Sequence, residues 1–163
     1  MSEPRKTYQQ AQALWEERSD DIRGDAVAAQ ALERLEEALA TLREKMRAAR
    51  MDRICRVCGE HNDGGCCGAS VARQVDPWLL LAGRLLGTHA TPMHHDPTTC
   101  CFLGPDGCVL ALKPFICVQY DCREMIASVD PGRLAAVQQA RDELLDAWVV
   151  VESRLRELCR EDR

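Results

Sequence analysis

Residues 55–67, CRVCGEHNDGGCC, and residues 100–122, CCFLGPDGCVLALKPFICVQYDC, hold nine of the ten cysteines in a chain of 163 residues. A lone buried cysteine packs as a small hydrophobe, but thiols grouped among glycines and polar residues present sulfur ligands. The two-residue spacer between Cys55 and Cys58 lets both sulfurs reach one ion. Cys66 and Cys67 are adjacent, with alpha carbons about 3.8 Å apart and side chains that leave in different directions. A disulfide between them is strained, whereas two ions or two corners of one polynuclear centre suit them. Gly64, Gly65 and Gly68 let the backbone fold closely round such an object. Further on, the Pro105-Asp106-Gly107 turn carries Cys108 back towards Cys100, and Pro114 stiffens the approach to Cys117. The middle of the chain therefore reads as a loop-rich, metal-holding insert, and the fold depends on what flanks it.

Both flanks read as helices. Pro4 fits a first helical turn, and Tyr8, Ala11 and Trp15 follow at spacings of three and four, which predicts a short amphipathic helix ending before Gly24. Asp25 caps a second helix, in which Ala28, Leu32, Leu35, Leu39, Leu42 and Met46 form one apolar seam running to about Arg50. The basic residues at its end, Arg43, Lys45, Arg47 and Arg50, complement the helix dipole. After the insert, Asp130 and Pro131 open a helix of about thirty residues with Leu134, Val137, Leu144, Trp148, Val151, Leu155 and Leu158 on one stripe. Arg141 is the one heptad position that breaks this stripe. The two seams match, so the expected fold is mainly α, a helical bundle or stalk that carries the cysteine-rich insert. Within the insert, Asp76 and Pro77 cap a short buried helix over Trp78 to Leu86 that Gly87 ends. The loop after it carries His89, His94 and His95, and His61 lies in the first cysteine stretch; with thiols at hand, none of these imidazoles is needed to complete a site. One domain spans residues 1–163, with N-terminal helices over 1–50, the cysteine module over 51–129 and the long helix over 130–163.

Composition narrows the class. Hydrophobic residues make up 46%, enough for a core without disulfide staples, and aromatics only 4%, which favours helices over strands. A net charge of −5 argues against a nucleic-acid partner, because phosphate neutralisation needs a concentrated positive face. The opening residues have no apolar core of signal type, and no run approaches a membrane span, so a cytoplasmic protein without membrane contact is expected. In that reducing compartment grouped cysteines serve as metal ligands or redox groups more often than as disulfides. Cys159, beside Leu155 and Leu158 on the last helix, stands apart from the other thiols.

Cys55, Cys58 and Gly59 with Cys66 and Cys67, then Cys100 ahead of Phe102 and Leu103, Cys108 after Gly107, and Pro114, Cys117, Tyr120 and Cys122 together resemble the YkgJ-type cysteine-cluster proteins, described as zinc- or iron-chelating. The resemblance covers roughly residues 55–122. It departs from the family pattern in the seven residues between Cys58 and Cys66, in Lys113 where arginine is usual, and in Cys101, which either replaces Cys100 or joins it. It implies eight ligands: Cys55, Cys58, Cys66, Cys67, Cys100, Cys108, Cys117 and Cys122.

The resulting expectation is a non-catalytic protein that holds zinc or iron, with heptad-patterned helices for a protein partner or a second copy. Irregular all-sulfur spacing suits an iron–sulfur cluster somewhat better than two zinc ions. The alternatives are an iron–sulfur electron-transfer or metal-delivery protein and a protein-modifying enzyme akin to flagellin lysine methylase, an activity attached to longer relatives of the family. No nucleotide-binding glycine loop or radical-type cysteine run supports the enzyme. The insert has few apolar residues of its own and is expected to depend on ligation for its order, while the terminal helices hold one another.

Overall fold

A computed structural model describes residues 2–61 and 66–160, and for Arg56 and residues 58–61 the main chain alone. Helix α1 (Glu3–Gly24) has its proline in the first turn, as that residue's fixed φ allows. Asp25 then leaves helical conformation, and its Oδ1 accepts a hydrogen bond from the Ala28 N–H at 2.7 Å, which starts α2 (Ala26–Ala48). The long helix α8 (Pro131–Leu158) opens in the same way: Asp130 Oδ1 accepts from the N–H groups of Gly132 and Arg133, each at 3.1 Å.

Helices α2 and α8 form the most extensive packing in the molecule. Leu35, Leu39 and Leu42 of α2 meet Val137, Leu144, Val151 and Leu155 of α8 in one buried core. Leu35 and Leu155 are fully buried, and burial on that scale contributes about 1.5–3 kcal/mol per side chain. The matching seams are thus present as expected. The pair is also clasped at one end, where Arg154 Nε and Nη2 donate to the two oxygens of Asp25 at 3.0 and 2.6 Å.

That clasp carries a pH signature. The Arg154 hydrogen bonds, followed by the Ala28 N–H, hold the Asp25 carboxyl down to about 2 from its ordinary 3.8. A carboxyl depressed on folding contributes stability that is present above the ordinary value and is lost as pH falls through the depressed one. Asn at this position keeps a capping oxygen without the charge. The urea midpoint of the wild type is therefore expected to fall more steeply than that of Asp25→Asn between pH 3.8 and about 2. Parallel acid profiles would remove the clasp from the account.

Helix α2 stops at Ala48, two residues short of the expected end. The cause is Arg50, which adopts the left-handed conformation at φ 57° and turns the chain into α3 (Met51–His61). Cys55 and Cys58 therefore lie on a helix, not in a loop-rich insert, and their spacing of three places both positions on neighbouring turns. After the short α4 (Ala69–Ala72), helix α5 (Pro77–Leu85) is capped by Asp76, whose Oδ1 accepts from the Leu79 N–H at 2.9 Å, and the chain leaves it through Gly87 at φ 82°. Leu79 to Gly83 are buried, as an all-round apolar helix requires. α5 packs against α1 and α8. Trp15 of α1 lies between the guanidinium groups of Arg23 and Arg84, 4.7 and 4.2 Å from its ring centre, and Arg84 Nη1 also donates to Gln12 Oε1 at 2.6 Å.

The hairpin of β1 (Leu103–Gly104) and β2 (Gly107–Cys108) and the short helices α6 (Phe115–Gln119) and α7 (Arg123–Ser128) complete the described chain. The expected cysteine-rich insert is not set apart from the helical core here. Phe102, Leu110, Leu112, Val118 and Met125 belong to the same core as the α2–α8 seam, so the middle segment is built into the domain by hydrophobic burial. No described helix is long and apolar enough to cross a membrane.

Candidate functional site

The two adjacent cysteine pairs are joined through their backbones. Cys100 N donates to the Cys67 carbonyl at 2.7 Å, Ala69 N donates to the Thr98 carbonyl at 3.0 Å, and Gly68 pairs antiparallel with Thr99. This crossing sets Cys66 and Cys67 beside Cys100 although Cys100 lies 33 positions after Cys67. The hairpin then returns the chain: Pro105 and Asp106 make the turn, Gly107 takes φ 109°, and Leu103 pairs with Cys108. The predicted return of Cys108 towards Cys100 is thus delivered by a two-stranded pairing. Pro114 caps α6, and its carbonyl accepts from the Cys117 N–H at 2.8 Å.

Electrostatics reports the same gathering. The Cys67 thiol is pushed up to about 12 by burial, and then by Cys66, Cys108, Cys100 and Cys117. Desolvation by the chain packed around it, reinforced by Cys108 and Cys100 and opposed by Lys113, pushes the Cys117 thiol up to about 11 although the residue is exposed at the surface. Cys100 is raised by burial and by Cys108, against a stabilising Phe102 N–H. A thiolate is disfavoured in low dielectric and beside other thiolates, so burial and the neighbouring sulfurs favour the neutral form of Cys67, Cys100 and Cys117. Cys101 is buried in the core, and its thiol is raised by burial and then by Cys100.

The other predicted ligands are placed differently. Cys122 is the N-cap of α7, where its Sγ accepts from the Met125 N–H at 3.4 Å. Cys55 is exposed on α3, and the side chains of Cys58 and His61, with Gly64 and Gly65, lie outside the described residues. Cys159, at the end of α8, is raised by burial, with Arg18 opposing and Asp21 and Glu17 adding to the shift. His89 Nε2 shares a hydrogen bond of 3.1 Å with the Tyr8 hydroxyl, and the two rings stack at 6.0 Å. His94 Nδ1 accepts from the Asp96 N–H at 3.2 Å, while His95 is exposed. Cys66, Cys67, Cys100, Cys101, Cys108, Cys117, Cys122 and Cys159 are free thiols, and among the described residues no group of three or more Cys, His, Asp or Glu side chains is arranged to hold a metal ion.

Sequence reasoning missed Asp121 and its partner. Arg141 Nη1 stands 2.6 Å from Asp121 Oδ1, and the two side chains are only 5% and 12% exposed. Gln138 Nε2 donates to Asp121 Oδ2 at 3.1 Å, whereas Oδ1 has the cation beside it but no directed hydrogen bond among the described residues. Asp121 thus ties the end of the cysteine stretch, next to Cys122, to the middle of α8. The available signal was Arg141 itself, since a cation in an apolar stripe requires a carboxylate from elsewhere in the chain.

No family model, curated protein or solved structure matches this chain.

Proposed function

We propose that the chain is a non-catalytic metal-binding protein, with zinc or iron held by its cysteine cluster. The observation that supports this reading is the backbone crossing that sets Cys66 and Cys67 beside Cys100, with the hairpin returning Cys108 and with Cys117 near enough to act electrostatically on Cys67. An all-sulfur donor set suits zinc, or iron as a sulfide cluster, and a bound cation supplies the positive charge that lets neighbouring thiols ionise together. Those five residues, joined by Cys55, Cys58 and Cys122 on the resemblance to the YkgJ-type proteins, would supply the ligands. Ligation by three or more of the described thiols requires their loops to draw closer than they stand. Val27 on α2 and Val149 and Val150 on α8 remain exposed, which supports a partner or a second copy docking on the helices.

A metal-delivery or electron-transfer role is the second reading. It is favoured by Phe115, Ile116 and Tyr120, all exposed on and beside the short helix that carries the exposed Cys117. An apolar rim around accessible sulfur suits transient docking of a protein that takes metal or electrons.

Anaerobic purification from cells replete in iron and zinc tests both readings. Stoichiometric metal is expected, with brown colour and acid-labile sulfide for an iron–sulfur centre and a colourless zinc protein for the structural alternative. Serine at Cys67, Cys100, Cys108 or Cys117 should lower metal content by at least about half, as loss of a ligand does, while Cys159→Ser leaves it unchanged. A metal-free wild type, or full metal in the Cys108→Ser and Cys117→Ser double variant, would sink the proposal.

A further inference from the structure

The turn between α2 and α3 faces the turn between α7 and α8 across an open cleft of about 460 Å³. This volume is in the range of small-ligand sites. Ala49, Ile54 and Val129 supply apolar wall, and Arg50, Arg53 and Arg133 bring three guanidinium groups. Arg133 Nη1 donates to the Ala48 carbonyl at 2.7 Å, which fixes that side chain over the end of α2. Among the described residues, none of the three arginines has a carboxylate within ion-pair distance. The acidic groups of the cleft are Glu124 and Asp130, and one oxygen of Asp130 is already committed to capping α8.

The placement of Arg53 and Arg133 on their own helices opposes helix electrostatics. Lys45 and Arg47 sit in the last turn of α2, where positive charge is favourable, but Arg53 lies in the first turn of α3 and Arg133 in the first turn of α8. A helix N-terminus is the end that repels cations and attracts anions. Two such ends and three guanidinium groups converge on one cleft together with the C-terminal ends of α2 and α7, and Arg133 already serves the Ala48 carbonyl at the α2 end. Arg50 adds a second cost, because it holds the left-handed conformation at φ 57° that glycine adopts freely.

We propose that this cleft binds a small organic anion, its acidic head group held by Arg50, Arg53 and Arg133 and its apolar body laid against Ile54 and Val129. Guanidinium forks match carboxylate and phosphate oxygens, which explains why the charge is presented as arginine. The apolar wall selects an anion with a hydrocarbon portion over an inorganic one. The cleft shares α3 with Cys55 and Cys58 but draws on none of the thiols.

Octanoate and inorganic phosphate, titrated at matched ionic strength into the isotopically labelled full chain, test the proposal by nuclear magnetic resonance. Octanoate is expected to shift the backbone amides of Arg50, Arg53 and Val129 saturably, and phosphate to reach the same amides at least about tenfold more weakly. Arg53→Glu should weaken octanoate by about tenfold or more. Arg50→Gly should do so by a smaller factor while removing a strained residue, so its loss of binding cannot come from unfolding. Shifts scattered over the molecule, a response that never saturates, or unchanged octanoate affinity in both variants would overturn the site. Phosphate binding as tight as octanoate would overturn the role given to the apolar wall.

Discussion

Replacing Arg141 by alanine is expected to lower the free energy of unfolding by about 3–5 kcal/mol, a large share of the stability of a domain of this size. The guanidinium is buried on α8 with Asp121 Oδ1 at 2.6 Å, and Gln138 takes the other carboxylate oxygen. Removing the cation leaves a carboxylate that has lost both its countercharge and access to water. Urea unfolding followed by far-ultraviolet circular dichroism reads the loss directly. The converse substitution is more informative. Arg141→Met combined with Asp121→Leu removes both charges and should recover most of what Arg141→Ala loses, because the desolvation cost disappears with the pair. A loss below about 1 kcal/mol in Arg141→Ala would mean that the pair behaves as a solvated surface bridge.

The same pair marks where the sequence stops being legible. The caps at Asp25, Asp76 and Asp130 were readable because a cap is decided within four residues, and each carboxylate does accept the expected N–H. The α2–α8 seam was readable because its spacing repeats over many turns. Arg141 was visible only as an interruption, since its partner lies 20 positions away in a segment without periodicity. The helix through Cys55 and Cys58 was obscured for a related reason: ligand spacing and helical spacing coincide at three residues, so a thiol motif masks a helical one. In the candidate site, the proline-glycine turn that returns Cys108 is local and was legible. The crossing of Cys67 with Cys100 rests on a backbone hydrogen bond between distant segments, and no residue pattern announces it.

Phe102→Ala is expected to cost about 3–5 kcal/mol, the range for emptying a fully buried aromatic site. Phe102 is among the largest wholly buried side chains, and its carbonyl accepts from the Val109 N–H at 2.9 Å, so it anchors the hairpin from both its ring and its backbone. Cys100 and Cys101 precede it in the same core, and the Cys100 N–H is the group that donates to the Cys67 carbonyl. The cavity should therefore loosen the support under the thiols as well as the fold. Thiol-trapping rates in the metal-free protein separate the two effects. Buried Cys100 and Cys101 should react faster in Phe102→Ala, while the exposed Cys66 and Cys108 change little, being accessible already. Leu35→Ala, in the α2 seam, provides the control: it should cost about 2–5 kcal/mol without selectively opening Cys100. If both variants accelerated trapping equally, the thiols would be reporting global unfolding alone, and Phe102 would have no local part in holding the cluster together.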